Sequence, residues 1–261
     1  MVKLLEYNTG HSIVAFSTMR GEGYGNYDGF NITDYCGDNE EHVRECRRWL
    51  CEELGIEDKR LIMPRQTHGD KTVAIDTAFL QMGKDAQREL LYGVDAIMTD
   101  LPRICIGVST ADCIPVLLCD SRRGAVAAVH AGWRGTVARI ACRTIEEMRS
   151  RYGSRANEIK AIIGPGISLD AFEVGDEVYE TFRTNGFPME KIAGLYPTAD
   201  SDRKWHIDLW EANRILLTGC GVLPQNIEIA GVCTFKSHNE FFSARRLGIN
   251  SGRIFNGILI K

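Results

Sequence analysis

Hydrophobic positions along the chain follow two rhythms. Continuous apolar runs at residues 104–108, 114–119, 125–129, 159–163, 227–232 and 254–260 predict strands buried on both faces. Residues 12–17 and 72–75 predict two further short strands. Helical spacing appears over 38–54, where Val43, Cys46, Leu50 and Leu54 share one face, with Asp38 and Glu41 as a capping pair and Gly55 as the stop. Residues 79–92 predict a second helix, and from Thr136 the positions Val137, Ile140, Ala141, Thr144, Ile145 and Met148 predict a third with one apolar face. A fourth opens at Phe172-Glu173-Val174-Gly175 and runs to about Arg183, and a fifth is headed by Asp208 with Glu211 and stops at Gly219. Runs of both kinds interleaved with helices predict an α/β fold of mixed sheets with helices outside. Without a repeat or a linker-like tract, residues 1–261 read as one domain.

Polar interruptions between the apolar runs carry the candidate chemistry. The run at 104–108 ends in Ser109-Thr110-Ala111-Asp112-Cys113, and the run at 125–129 delivers His130 and then Ala131-Gly132-Trp133-Arg134-Gly135. His68 lies on a Thr67-His68-Gly69-Asp70 turn before the 72–75 strand. His68, Cys113 and His130 therefore stand at turns or strand ends, where a rigid sheet can present reactive groups. Their long separations differ from the closely spaced pairs of a structural zinc knuckle and suit a three-ligand catalytic site with one open position. A buried structural thiol beside a backbone-satisfied imidazole accounts for the same residues, and the pattern alone favours that plainer account. Arg134 beside the start of the third helix offers an anion seat or a surface ion pair. The glycines of Gly21-Glu22-Gly23-Tyr24-Gly25 lack the lysine and the strand-helix context of a phosphate loop and read as a surface loop.

Charge and cysteine content narrow the classes. A net charge of -4 removes any global electrostatic reason to expect nucleic acid or an anionic membrane surface as partner. Nine cysteines without a CxxC pair read as reduced thiols of a cytoplasmic protein. The first residues lack the pattern of a signal peptide, and no apolar run approaches the length of a membrane span.

The segments QTHGDKTVAID, GVDAIMTD, STADCIPVLLCD, VHAGWRGT, IIGPGI with FEVGDEV, and FFSARR with SGR resemble the ordered signatures of the YfiH-type laccase-domain family, also described as multifunctional purine nucleoside phosphorylases. The resemblance runs from about residue 12 to the end. It implies a layered α/β sandwich and a zinc ion held by His68, Cys113 and His130. It also implies phosphorolysis of adenosine, inosine, guanosine or 5'-methylthioadenosine, with adenosine deamination as a second activity and with the nucleoside and inorganic phosphate as the small-molecule partners.

Phosphorolysis passes through a cationic sugar and needs fixed positive charge for phosphate. Arg134 is the first candidate, with Arg47, Arg65, Arg245 and Arg246 behind it. Asp112 and Glu173 are candidate proton carriers. Three departures from the family pattern bear on the substrate: the altered loop at Ser17–Gly23, Cys46 before Arg47 where asparagine is common, and Ala244 in FFSARR where the family has tyrosine. Other readings use the same residues. A metal-free cysteine hydrolase, or a peptidoglycan-precursor editing hydrolase, would take Cys113 as nucleophile and His130 as base. A copper polyphenol oxidase ranks lower, because multicopper centres take about ten histidines and the chain has six. A non-catalytic partner-binding relative is the remaining class.

Overall fold

The computed structural model describes residues 3–23, 25–197 and 203–261. Two sheets face each other across an apolar interior. The first has five strands, in spatial order Leu4–Tyr7, Ile13–Thr18, Ile254–Ile260, Cys105–Thr110 and Leu61–Ile62. The second has six, in the order Ile227–Ile229, Lys160–Ile163, Ile114–Asp120, Ala125–Ala131, Ala96–Thr99 and Thr72–Ala74. In each, antiparallel pairs form the middle, and a parallel pair closes one edge of the first sheet and both edges of the second, so the sheets are mixed, as the blend of apolar runs predicts.

Strict alternation sorts the central strands into layers. Leu117, Cys119, Val126, Ala128 and Ile162 face Ile13, Ala15, Ile106, Val108 and Ile258 of the other sheet, forming the sandwich core. Val116, Leu118, Ala127, Val129 and Ile163 point the opposite way, onto the helices Ile140–Tyr152 and Leu209–Gly219. Beyond the five-stranded sheet, Phe16, Cys105 and Phe255 pack on Leu50 and Cys51 of the helix Glu40–Leu54. The result is a four-layer sandwich with helices on both outer faces.

Several local expectations shift. The first helix is capped by Asn39, whose side chain accepts from the Glu41 and His42 amides, and Asp38 instead bonds Asn31 and His42. Gly55 ends it in the left-handed conformation, as predicted. The single helix expected over 79–92 is two, Thr77–Gln81 and Lys84–Leu91, broken at Met82 and Gly83. The helix expected from Thr136 starts earlier, as Trp133–Val137, and breaks at Arg139 (φ 60) before Ile140–Tyr152. Glu173 and Val174 form a short strand, and the helix begins only at Asp176. Asp208 caps Leu209–Gly219 by accepting from the Glu211 amide. A three-stranded sheet of Glu173–Val174, Arg203–Ile207 and Ala193–Pro197 flanks the sandwich.

Candidate metal centre

The site forms at one rim of the sandwich because adjacent strands end at the same level. In the pair Ile114–Asp120 and Ala125–Ala131, Pro115 lies opposite His130 and Ile114 opposite Ala131. One step further, Cys113 comes beside Gly132. By alternation Cys113 and His130 belong to the face that looks between the sheets. His68 arrives from the turn before the edge strand Thr72–Ala74, and its ring lies edge-on to that of His130 with centroids 4.9 Å apart.

One nitrogen from each imidazole and the Cys113 Sγ lie within 4.8 Å of one another, the sole such cluster among the described residues. Bonds of about 2.0–2.3 Å to a tetrahedral ion would place such atoms about 3.6 Å apart, so a common ion draws them in by roughly 1 Å at most. A Cβ built on Gly132 would come 3.0 Å from the Cys113 Sγ, 3.4 Å from His68 Cδ2 and 3.7 Å from His130 Nε2. The missing side chain therefore leaves the room an ion needs. The donor set of two imidazoles and one thiolate, open to a cavity on its fourth side, fits a metal ion.

Asp95, which the sequence reading did not single out, organises this centre. Its fully buried carboxylate takes the His130 Nδ1 at 2.7 Å and the amides of His68 at 3.0 Å, Gly69 at 2.8 Å and Thr67 at 3.2 Å. That bond turns His130 Nε2 toward the cluster, the usual second-sphere arrangement of a ligating histidine. The three converging amides form an anion-binding nest and hold His68 in the left-handed region at φ 63. Burial opposes the charge on Asp95, but His130 and the nest outweigh it and keep its carboxyl below the usual range. Burial also opposes the Cys113 thiolate; the charge and hydrogen bond of His130, with help from His68, pull that thiol down to about 6. The sequence signals for Asp95 are its place in the family-like segment GVDAIMTD and a lone acid immediately before the apolar strand Ala96–Thr99, where a buried charge demands partners.

The cluster opens into a cavity of about 860 Å³. Gln66 and Tyr35 line it and are tied to Ser109: Gln66 Nε2 donates to the Ser109 carbonyl at 2.8 Å, and the Tyr35 and Ser109 hydroxyls are 2.7 Å apart. Asp112 also lines it, at φ 82, accepting from the Thr234 hydroxyl at 2.7 Å and the Arg245 amide at 2.6 Å. Arg245 faces the cavity and donates to the Glu173 carbonyl.

The remaining predicted residues lie elsewhere. Arg134 is exposed, over the ring of Trp133, and is absent from the cavity wall. The helix that follows Gly132 has only five residues, so the expected anion seat there lacks its helix. Arg47 is paired with Asp58 and the Leu61 carbonyl in a separate depression beside the first helix. Arg65 sits between the Tyr35 and Tyr92 rings, Arg246 sits over Phe235, and Glu173 is exposed outside the cavity wall. The loop at Ser17–Gly23 also stays away from the cavity, because fully buried Arg20 straps it to the carbonyls of Gly25, Asp28 and His238. Ala244, in contrast, does line the cavity.

Residues 14–261 match the family model described as multi-copper polyphenol oxidoreductase laccase. The chain is 48% identical over 236 residues, 90% of its own length and 86% of the relative's, to a purine nucleoside phosphorylase of Bacteroides thetaiotaomicron. It is 47% identical over 251 residues to adenosine deaminase RL5 from an unknown prokaryotic organism, covering 95% of this chain and 94% of that one. Among solved structures, Bacillus licheniformis hypothetical protein YfiH superposes with a TM-score of 0.85 at 26% identity, covering 98% of this chain and 99% of the other. With the sandwich, the His-Cys-His cluster and these likenesses together, the chain belongs to the YfiH-type laccase-domain family.

Proposed function

We propose that the protein is a zinc-dependent purine nucleoside phosphorylase that also deaminates adenosine. The observation that carries this reading is the three-ligand cluster opening into a cavity large enough for a nucleoside, in a chain nearly half identical to relatives named for these two activities. His68, Cys113 and His130 would hold the zinc. A zinc ion held by them would supply Lewis acidity, which both deamination and departure of the base can use.

The chain's own residues do the rest. Asp95 fixes the His130 tautomer and the His68 turn. Ser109, Gln66 and Tyr35 form a rigid polar wall, while Ile167, Phe172 and Ile249 offer apolar surface to a base or sugar. Asp112 lines the cavity and is the better placed of the two candidate proton carriers, although two of its acceptor positions are already taken by Thr234 and Arg245. The nine cysteines are all free, which supports a reducing cytoplasmic setting, and no described helix is long and apolar enough to cross a membrane.

Inosine supplied with and without phosphate tests the reading. Hypoxanthine should form only when phosphate is present, with ribose 1-phosphate as co-product; equal release without phosphate makes the protein a hydrolase instead. A metal-free cysteine hydrolase is the second reading, favoured by the lowered Cys113 thiol beside His130. Full activity in metal-stripped protein would select it.

A further inference from the structure

Two arginines, Arg245 and Arg253, reach the cavity wall, where Arg65, Arg134 and Arg246 do not. Arg47 is paired with Asp58, and Arg44 beside it with Glu41. Arg253 and Arg245, by contrast, have no carboxylate partner among the described residues, although both line the cavity that holds the metal ligands. The one carboxylate in the same wall, Asp112, is occupied by the Thr234 hydroxyl and the Arg245 amide.

Arg253 is half-buried and held in place by its own loop. Its Nη1 donates to the Ser251 and Gly252 carbonyls and its Nη2 to the Ile249 carbonyl, so three residues of one turn orient one guanidinium. Its amide is fixed in turn by Asn31 Oδ1. Neutral carbonyl acceptors restrain the group without cancelling its charge. Nη2 makes one of its two hydrogen bonds, and Nε makes none among the described residues. A planar cation with donors left over, fixed in a cavity wall, suits an oxyanion, which can accept two parallel N–H bonds from one guanidinium.

We infer that Arg253, assisted by Arg245, forms the seat for inorganic phosphate in this cavity, in place of Arg134. The inference rests on the phosphorylase reading for the identity of the anion, but the seat itself rests on the geometry of the loop at 249–253. Phosphate held there shares one cavity with the metal ligands, so nucleophile and nucleoside can meet in it. Deamination of adenosine uses water rather than phosphate and has no need of the seat.

This asymmetry supplies the test. Arg253→Gln keeps an amide donor for the loop carbonyls and removes the charge, whereas Arg253→Lys keeps the charge and loses the fork. With inosine as substrate, the phosphate KM should rise ten- to a hundredfold in Arg253→Gln, the loss expected for a hydrogen bond to a charged group, and less in Arg253→Lys. The inosine KM and the rate of adenosine deamination should stay within about twofold. Thermal stabilisation of the metal-free protein by phosphate alone, with no turnover, should weaken in the same order. A parallel fall in phosphorolysis and deamination would assign Arg253 to holding the loop and overturn the proposal, as would unchanged phosphate KM values or a raised value in Arg134→Ala instead. If the wild type binds phosphate through Arg253 yet releases no base, the reaction assignment fails and the seat stands.

Discussion

Replacing Asp95 by asparagine removes one negative charge and changes one acceptor into a donor, at a position where all four partners are donors. Oδ1 takes the His130 Nδ1 and the His68 amide, while Oδ2 takes the Thr67 and Gly69 amides. If the new NH2 group replaces Oδ2, the two amides face a donor, and at about 1–3 kcal/mol for each unsatisfied buried group the turn carrying His68 loses about 2–6 kcal/mol before relaxation. If it replaces Oδ1, the His68 amide is orphaned and the His130 Nδ1 must become an acceptor. The proton then moves to Nε2, the nitrogen that faces the cluster, and the ring cannot ligate. Either orientation weakens the metal, and losing such a partner typically costs about 10–100-fold in affinity.

Zinc competition against a chromophoric chelator, paired with urea unfolding of the metal-free protein, separates the two routes. We expect at least a tenfold weaker zinc affinity and a lower unfolding midpoint. Unchanged affinity together with an unchanged midpoint would refute the role assigned to Asp95 and, with it, the orientation of His130.

Two other outcomes follow from the same structure. Cys113→Ser should reduce zinc in purified protein from about one per chain to a small fraction by elemental analysis, since the thiolate would be the only anionic member of the proposed set; retained zinc would remove Cys113 from the set, and copper in the wild type would reassign the metal. At high pH, burial pushes the Cys119 thiol from 9.0 up to about 11, so between these values the unfolded chain has released a proton that the folded chain still binds. Stability must then fall as pH rises through that window, by on the order of 2–3 kcal/mol from this group. Cys119→Ala should flatten the fall in urea midpoint between pH 9 and 11, and an unaltered slope would show that Cys119 does not set it.

The parts of the fold that were legible in the sequence are those whose burial is continuous. Ile254–Ile260 and the runs at 114 and 125 are buried on both faces, so their apolar stretches match the strand in the first case and share its start in the other two, which extend one and two residues further, to Asp120 and Ala131. Leu4–Tyr7 and the pair Ala193–Pro197 and Arg203–Ile207 are edge or flanking strands with half-exposed side chains, and their mixed composition reads as loop. The break at Arg139 is invisible for another reason: the apolar spacing continues across it, and only the left-handed backbone of a single arginine interrupts the helix. In the site, the two histidines and the cysteine stood at strand ends and matched family segments, so pattern and resemblance met. Arg134, Arg245, Arg246 and Arg253 also lie in such segments, but a segment match does not say which guanidinium turns into the cavity. An exposed guanidinium on a helix and one turned into a cavity have the same sequence appearance, which is why Arg134 and Arg47 were expected at the site and Arg253 was not.

Asp95 ties the centre together from segments distant in the chain. The residue directly precedes Ala96, which pairs with Thr72 and Val129, and its own carbonyl accepts the His130 amide at 2.8 Å. Backbone pairing thus sets the distance between Asp95 and His130, and the carboxylate then sets the orientation of both His130 and the His68 turn. Without the carboxylate, His68 at φ 63 would pay for a left-handed backbone with nothing to offset it. Cys113 is placed independently, by the register that puts Pro115 opposite His130. A variant that loosens the 67–69 turn should therefore displace His68 alone and leave the Cys113–His130 pair intact. Such a protein would keep a lowered thiol while losing most of its metal affinity, so thiol alkylation near neutral pH in the metal-free state, which reads the pair, would remain fast where zinc binding had failed.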